Sequence, residues 1–464
     1  MMLSETFEPN TTLLLKSIVH DEDIKWVKQN TAILVIHGIG NQLPLETIDQ
    51  FGRGLIKAYR KEFEDDITLS HHLVSKDDDK EGKWMDSLLR LKKKGSEHFI
   101  DIYEYYWAHY TEDQATWAEV NNWLHGVVSG AKTFYKKNAY IGQYYKDSSP
   151  FFDSKTGKFI PFYYRLFVSA ISKFILTIDL IYRGLLWVVA RIPFLGRLAE
   201  SMMKSYSEGL IKKFTNVVGD VVVYNVVDPK SKFYDTRRTI QDGAVNALRF
   251  LIERAENKSN EEKKKKDEEE KSAPAKDKVA EEILFYPSVL VAGHSLGSQV
   301  AYDAINRLNL LVNQNEIKHY DNNGECSISS RHGLKIDKQL LGFITFGCPL
   351  DKIVFFLREN VPDSEYVRQQ MLDHFHGFKL RDLNVRTSGG GDSITINNSL
   401  ERHLDEVTWR NYFDNKDYVS GGLDYYHKLT NIDCQFGGGR FAFTHSDYWI
   451  CDKFYKDIVI NFLK

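Results

Sequence analysis

The apolar run Ser288-Val289-Leu290-Val291-Ala292 stops at Gly293-His294-Ser295-Leu296-Gly297. A helical pattern follows at once, with Val300, Ala301, Ala304, Ile305 and Leu308 on one face. A short run of this kind, bounded by a tight turn and a helix, reads as a strand buried inside a sheet. Strand, turn and helix together form the setting in which a G-x-S-x-G serine becomes a nucleophile. The two glycines answer a steric need, because a side chain at either flank would collide with the neighbouring strand or helix.

Other segments repeat the strand pattern. Thr31 to Ile36 is a β-rich run that ends at His37-Gly38-Ile39-Gly40. Phe99 to Trp107 is a second candidate, with aromatics crowding its end. Leu340 to Phe346 is a third, stopped by Gly347-Cys348-Pro349. Val407 to Phe413 is a fourth and leads into the polar loop Asp414-Asn415-Lys416-Asp417. Tyr448 to Leu463 has the period of a helix. Strands alternating with helices predict an α/β fold with a mostly parallel sheet covered on both faces.

A chain of 464 residues accommodates one large α/β domain with insertions or two to three smaller domains. The expected division is a core in two parts, 1–112 and 216–464, around an inserted helical cap or membrane-interface segment at 113–215. Hydrophobic residues are 42% and charged residues 27%, the balance of a globular protein with an ample core. A net charge of −3 supplies no field that would recruit nucleic acid. Four widely spaced cysteines without C-x-x-C argue against a disulfide framework and for a reducing, cytoplasmic setting. Met1 to Lys16 carries Glu5 and Glu8 and has no apolar stretch behind a basic start, so no signal peptide is read.

Two stretches fall outside the core pattern. Residues 257–282 are dominated by Lys and Glu and cannot bury enough apolar area to order themselves, which predicts a flexible, charged surface insertion. Residues 162–195 are rich in apolar and aromatic side chains, but Arg165, Lys173, Asp179, Arg183 and Arg191 interrupt them, so no uncharged span long enough to cross a bilayer exists. On a helix these five charges fall within an arc of roughly 120°. A broad apolar face beside a narrow, mainly cationic stripe suits peripheral membrane contact as an interfacial or lid helix, and equally a cap helix packed on the core. Pro193 ends it.

A serine hydroxyl is a weak nucleophile until a base takes its proton, and the base is most often a histidine oriented by a carboxylate. After a strand–turn–helix nucleophile the chain order is serine, acid, histidine. His445, in Thr444-His445-Ser446-Asp447, follows Phe441-Ala442-Phe443 and precedes the final helix, which suits the base. The acid candidates are Asp417, Asp414 and Asp351, which follow strands, and Asp405, which precedes one. Asp417 has the fullest context, in a loop one strand before the histidine loop. The oxyanion needs two fixed backbone donors. Leu296 supplies one, and the early loop at His37-Gly38-Ile39-Gly40 supplies Ile39, with Gly38 allowing a sharp turn. His374 and His376 form an H-x-H pair without a third ligand at recognisable spacing, so no metal is expected. Nothing calls for an organic cofactor. The Gly389–Gly391 and Gly437–Gly439 clusters read as loops.

These segments carry a resemblance. Val35-Ile36-His37-Gly38-Ile39-Gly40-Asn41-Gln42 resembles the H-G-I-G segment of bacterial lipase-like serine hydrolases of the α/β-hydrolase superfamily, and of DDHD-type intracellular phospholipases. Thr345 to Leu350 resembles their T-x-G-S-P-L segment, with Cys348 in the usual serine place. Trp409-x-Asn411 through Asp417-Tyr418-Val419 resembles their W-x-N…D-P-V segment, with Tyr418 where proline is usual. No D-D-H-D string is present. The resemblance covers roughly Thr31 to Trp107 and Val223 to the end. It implies an α/β-hydrolase fold and a Ser295–Asp417–His445 triad with Ile39 and Leu296 as oxyanion donors, and the apolar 162–195 segment adds a lipid ester as the expected substrate. A small soluble ester or thioester, an acyl-transfer acceptor, and a non-catalytic interaction role on the same scaffold are the competing expectations.

Overall fold

The computed structural model describes residues 10–19, 24–39, 43–73, 87–112, 114–137, 142, 151–165, 219–226, 229–253, 285–314, 319–320, 326–327, 339–357, 365, 367–368, 371, 377–379, 402–417, 419–437 and 444–464. The 257–282 insertion, the His374/His376 pair, Tyr418 and nearly all of 162–195 lie outside these residues. So do Gly389–Gly391, Gly438, Gly439 and Phe441–Phe443.

Nine strands form one mixed sheet. They are β1 (Thr12–Leu14), β2 (Thr31–Ile36), β3 (Ile67–Leu73), β4 (Ser87–Lys93), β5 (Phe99–Tyr105), β6 (Ser288–His294), β7 (Leu340–Phe346), β8 (Thr408–Phe413) and β9 (Leu429–Asp433). Across the sheet the order is β1-β9-β8-β7-β6-β2-β5-β4-β3. From β1 to β5 every neighbouring pair is parallel. Only β4 runs against its neighbours, β5 and β3. Parallel strands need helical crossovers, and these cover both faces of the sheet.

Strand alternation divides the core in two. On one face Ala32, Leu34, Ile36, Tyr103, Val289 and Val291 pack with the helices α4 (Tyr234–Glu253) and α5 (Leu296–Asn313). Val127, Ala131 and Phe134 of α3 (Trp117–Lys137) join this cluster, as do Leu350 and Ile353 of α6 (Leu350–Leu357). On the other face Ile33, Val35, Ile100, Ile102, Leu290 and Ala292 pack with α2 (Glu46–Phe63) and α7 (Asp452–Phe462), while the single turn α1 (Leu15–Ile18) adds Leu15. Among the described residues no helix is long and apolar enough to cross a membrane.

Several boundaries differ from the sequence reading. The strand expected to reach Trp107 ends at Tyr105, because the His37 ring captures the backbone N–H groups of Trp107 and Ala108. The final helix starts later than Tyr448. Asp447–Ile450 is a 3-10 turn, extended Cys451 breaks it, and α7 follows. Strands β1, β3, β4 and β9 add to those read from the sequence.

Candidate active site

Strand β6 lies near the middle of the sheet, between β2 and β7. At its carboxyl end Ser295 has φ +52° and ψ −128°, and α5 begins at the next residue. A non-glycine residue in this region is strained, and such strain persists only where its surroundings enforce it. Here the Ser295 N–H donates to the Phe346 carbonyl, at 3.0 Å, and the Ser298 N–H donates to the Ser295 carbonyl, at 3.0 Å. Ser298 Oγ donates to the Gly293 carbonyl at 2.7 Å, which closes the turn. The flanking glycines are compelled by proximity. A Cβ on Gly293 would lie 2.6 Å from Ser298 Cα, and one on Gly297 would lie 2.3 Å from the His37 carbonyl oxygen. Ser295 is buried, and its Oγ has no hydrogen-bond partner among the described residues.

The loop after β2 lies directly on this turn. A Cβ on Gly38 would stand 2.6 Å from Ser295 Cβ. Glycine is therefore required at 38 by closeness, not by a left-handed φ, and the chain bends at the next residue, Ile39. His37 ties the loop down. Its Nε2 accepts the Trp107 N–H at 3.0 Å and the Ala108 N–H at 3.3 Å, so the proton sits on Nδ1 and is donated to the Gly38 carbonyl, at 2.8 Å. The ring stacks on Trp107 with centroids 5.0 Å apart. Burial, partly offset by the Gly38 bond, holds His37 down at about 4, so it stays neutral. Ile39 follows, half-buried against the core, and Leu296 carries the first N–H of α5. Backbone donors at such a helix start have no intrahelical partner.

The loops after β8 and β9 bring Asp417 and His445 together. His445 Nδ1 lies 3.0 Å from each carboxylate oxygen of Asp417. An ionised carboxylate only accepts, so His445 donates through a proton on Nδ1, and Nε2 is the ring nitrogen on the side away from Asp417. Asp417 also accepts the Val419 N–H at 2.9 Å and the Tyr448 hydroxyl at 3.0 Å. Burial opposes ionisation of Asp417, but the imidazole, the Val419 N–H and Ser420 outweigh it and hold the carboxyl at about 2. The His445 ring rests on Gly347, whose φ is +61°. A Cβ there would come within 3.0 Å of His445 Cε1. Since Ser295 is bonded to Phe346, one residue from Gly347, the imidazole edge and the serine share one end of β6 and β7.

The other acid candidates have different partners. Asp414 caps loops, accepting the Phe436 N–H at 2.7 Å and the Thr444 hydroxyl at 3.0 Å, and so joins the acid loop to the histidine loop. Asp351 pairs with Lys352 at 2.8 Å, and burial raises its pKa. Asp405 pairs with His427 and Lys428. Among the described residues no His, Cys, Asp and Glu group could hold a metal ion. Cys348, Cys434 and Cys451 are free thiols.

The T-x-G and W-x-N segments form one buried chain of hydrogen bonds. Trp409 Nε1 donates to Thr345 Oγ1, which donates to Asn411 Oδ1, both at 3.0 Å. Asn411 Nδ2 then donates to the Gly421 carbonyl at 2.9 Å and to Asn431 Oδ1 at 3.0 Å. Three strands and the segment just after Asp417 are locked together by groups that would be costly to leave unpaired. Sequence reading saw these residues only as a resemblance. It missed Tyr448 and His294 as site residues, and their signal was their place beside His445 and Ser295.

Glu104, at the carboxyl end of β5, accepts the Leu45 N–H at 2.8 Å and so anchors the far end of the β2–α2 loop. Burial pushes its carboxyl up from 4.5 to about 6, against the bonds it accepts. The folded value exceeds the unfolded one, so the contribution is fully present below pH 4.5 and is lost as pH rises through 6. The loss above pH 6 is on the order of 1–2 kcal/mol. Glu104→Gln keeps an acceptor and does not titrate. Its stability relative to wild type should therefore improve by that amount between pH 4.5 and pH 8, read from denaturant midpoints. A flat difference would rule out a buried, ionising Glu104.

Compared with family models, curated proteins and solved structures, the chain finds no match.

Proposed function

We propose that the protein is a serine carboxylic-ester hydrolase of the α/β-hydrolase type. The observation that carries this reading is a buried, positive-φ serine whose hydroxyl has no hydrogen-bond partner among the described residues, on the sheet edge where an imidazole is held through Nδ1 by an ionised carboxylate. Buried polar atoms are almost always paired, so an orphan hydroxyl at a strained turn calls for a functional explanation.

In this reading Ser295 Oγ attacks the acyl carbonyl carbon. His445 Nε2 takes the hydroxyl proton, and Asp417 stabilises the imidazolium. The Ile39 and Leu296 N–H groups hold the oxyanion. As the carbon–oxygen bond to the alcohol breaks, His445 returns the proton to the leaving oxygen. Water, activated by the same imidazole, then releases the acid and restores the serine. The serine–imidazole bond forms in the substrate complex, as such bonds often do.

The substrate we propose is a lipid ester met at a membrane surface. The apolar 162–195 sequence supports this, together with the exposed rings of Phe162 and Tyr163 where that segment begins, 68% and 49% accessible. The test is the rate on one ester series measured across the concentration at which the substrate aggregates. A lipid hydrolase accelerates sharply there and binds vesicles. A flat response with efficient turnover of soluble esters would replace lipid with a small acyl substrate. Failure of a fluorophosphonate to label the protein would remove hydrolase function altogether.

A further inference from the structure

His294, the residue before the nucleophile, has no part in the mechanism above, yet its imidazole touches both loops that complete the site. Its Nε2 lies 3.1 Å from the His445 carbonyl oxygen, to which it donates. Its ring is 4.9 Å from the His445 ring, centroid to centroid. On the Nε2 side it borders Gly347, where a Cβ would lie 3.3 Å away. On the Nδ1 side it borders Gly38, where a Cβ would lie 3.2 Å away. Phe346 and Trp449, each with centroids 5.0 Å from it, enclose the rest of the ring.

From this arrangement we infer that His294 is a positioning residue, which fixes the catalytic imidazole by donating Nε2–H to the backbone of His445 and spacing that loop from the Gly38 loop. The inference rests on the hydrolase reading of Ser295 and His445. The physical argument starts from the backbone on either side of His445. Thr444 before it donates its hydroxyl to Asp414, and the Asp447 N–H beyond it donates to the Thr444 carbonyl, both at 3.0 Å. The imidazole itself is aimed by Asp417, but aiming a ring does not fix the Cα that carries it. The bond from His294 acts on the His445 carbonyl itself, and it comes from the last residue of β6, which is one peptide from Ser295. The nucleophile and the base are thereby referenced to the same rigid strand. A misplacement of about 1 Å at such a site costs about 100-fold in rate. Burial, with His445 close by, holds His294 down at about 3, so the neutral ring keeps this role through the working pH range. Among the described residues His445, Asp417 and Tyr448 on one side and His37 on the Gly38 side are ionisable groups that face it.

The test uses the full chain and compares His294→Gln with His294→Asn. Gln carries its amide nitrogen to roughly the position of Nε2, whereas the Asn amide stops one bond short. Labelling of Ser295 by a fluorophosphonate and kcat on an ester are measured with thermal unfolding of each variant. The expected result is that Gln keeps labelling and kcat within about 3-fold of wild type, while Asn loses about 10- to 100-fold in both with KM unchanged. Equal activity for Gln and Asn, or an Asn variant within twofold of wild type, would overturn the inference. A rise in KM that accounts for the whole loss would overturn it too. Ser295→Ala is run alongside. If it still labels, the hydrolase reading fails. If it is silent while Gln and Asn behave alike, only the role of His294 fails.

Discussion

Replacing Ser295 with alanine should abolish fluorophosphonate labelling and lower kcat by about 10⁵-fold or more, while leaving the protein at least as stable as wild type. The two halves of this result come from different physics. The catalytic loss follows because removing the nucleophile from a cooperating set removes nearly everything the set does, leaving only binding and the oxyanion donors. The stability half follows from the orphan hydroxyl. Ser295 is buried, and its Oγ meets no partner among the described residues. Burying an unpaired hydroxyl costs on the order of 1–3 kcal/mol. Alanine removes that cost and keeps the Cβ, so the strain at φ +52° is unchanged. A structural serine would give the opposite pattern, with the melting temperature falling and activity following it. Retention of turnover by the variant would end the assignment of Ser295.

The second large effect is expected at the acid. Asp417→Asn should lower kcat by about 10⁴-fold with KM little changed. The wild-type carboxylate accepts the Nδ1 proton of His445, at 3.0 Å from both oxygens. An asparagine can turn its NH₂ toward that nitrogen, which moves the proton to Nε2 and aims the basic lone pair away from the serine. The variant also loses a charge held at about 2 in the fold. A depressed acid contributes stability above its unfolded value of 3.8 that is lost as pH falls through 2. The stability gap between wild type and Asp417→Asn should therefore close between pH 4 and pH 2. Asp414→Asn is the control. Asp414 holds the Phe436 N–H and the Thr444 hydroxyl, so its loss should loosen the loops and lower stability with a far smaller effect on the chemical step. A larger fall in kcat for Asp414→Asn would move the acid to that residue.

The features legible in the sequence share one property: they report their own surroundings. Strands β2, β6 and β7 lie inside the sheet and are apolar almost throughout, so the central sheet could be read directly. The strained turn at Ser295 was legible because its glycines are required by backbone contact. Strand β9 was not legible. Its sequence Leu-Thr-Asn-Ile-Asp looks like loop, but Asn431 and Asp433 are buried because they bond to Asn411, Leu423, Asn415 and Gln435. Strands β3 and β4 form one edge of the sheet, and the exposure of β3 beyond Ile67 erases its pattern. His294 was invisible as a site residue because its partner carbonyl lies 151 positions along the chain.

The pairing of β1 with β9 joins two segments that are made far apart in time. Asn10, beside β1, bonds to Asp424, beside β9, across 414 residues. At about 5–20 residues per second, a ribosome takes roughly 20–80 s to cover that distance. For all that time β1 has no partner strand, and the outer side of β8 is open once it is made. The base we propose arrives later still, since His445 lies beyond β9. In that reading the nascent chain carries Ser295 before it carries the group that would activate it. On the proposed hydrolase reading, the chain is therefore inactive until His445 has been made and its loop has reached Asp417.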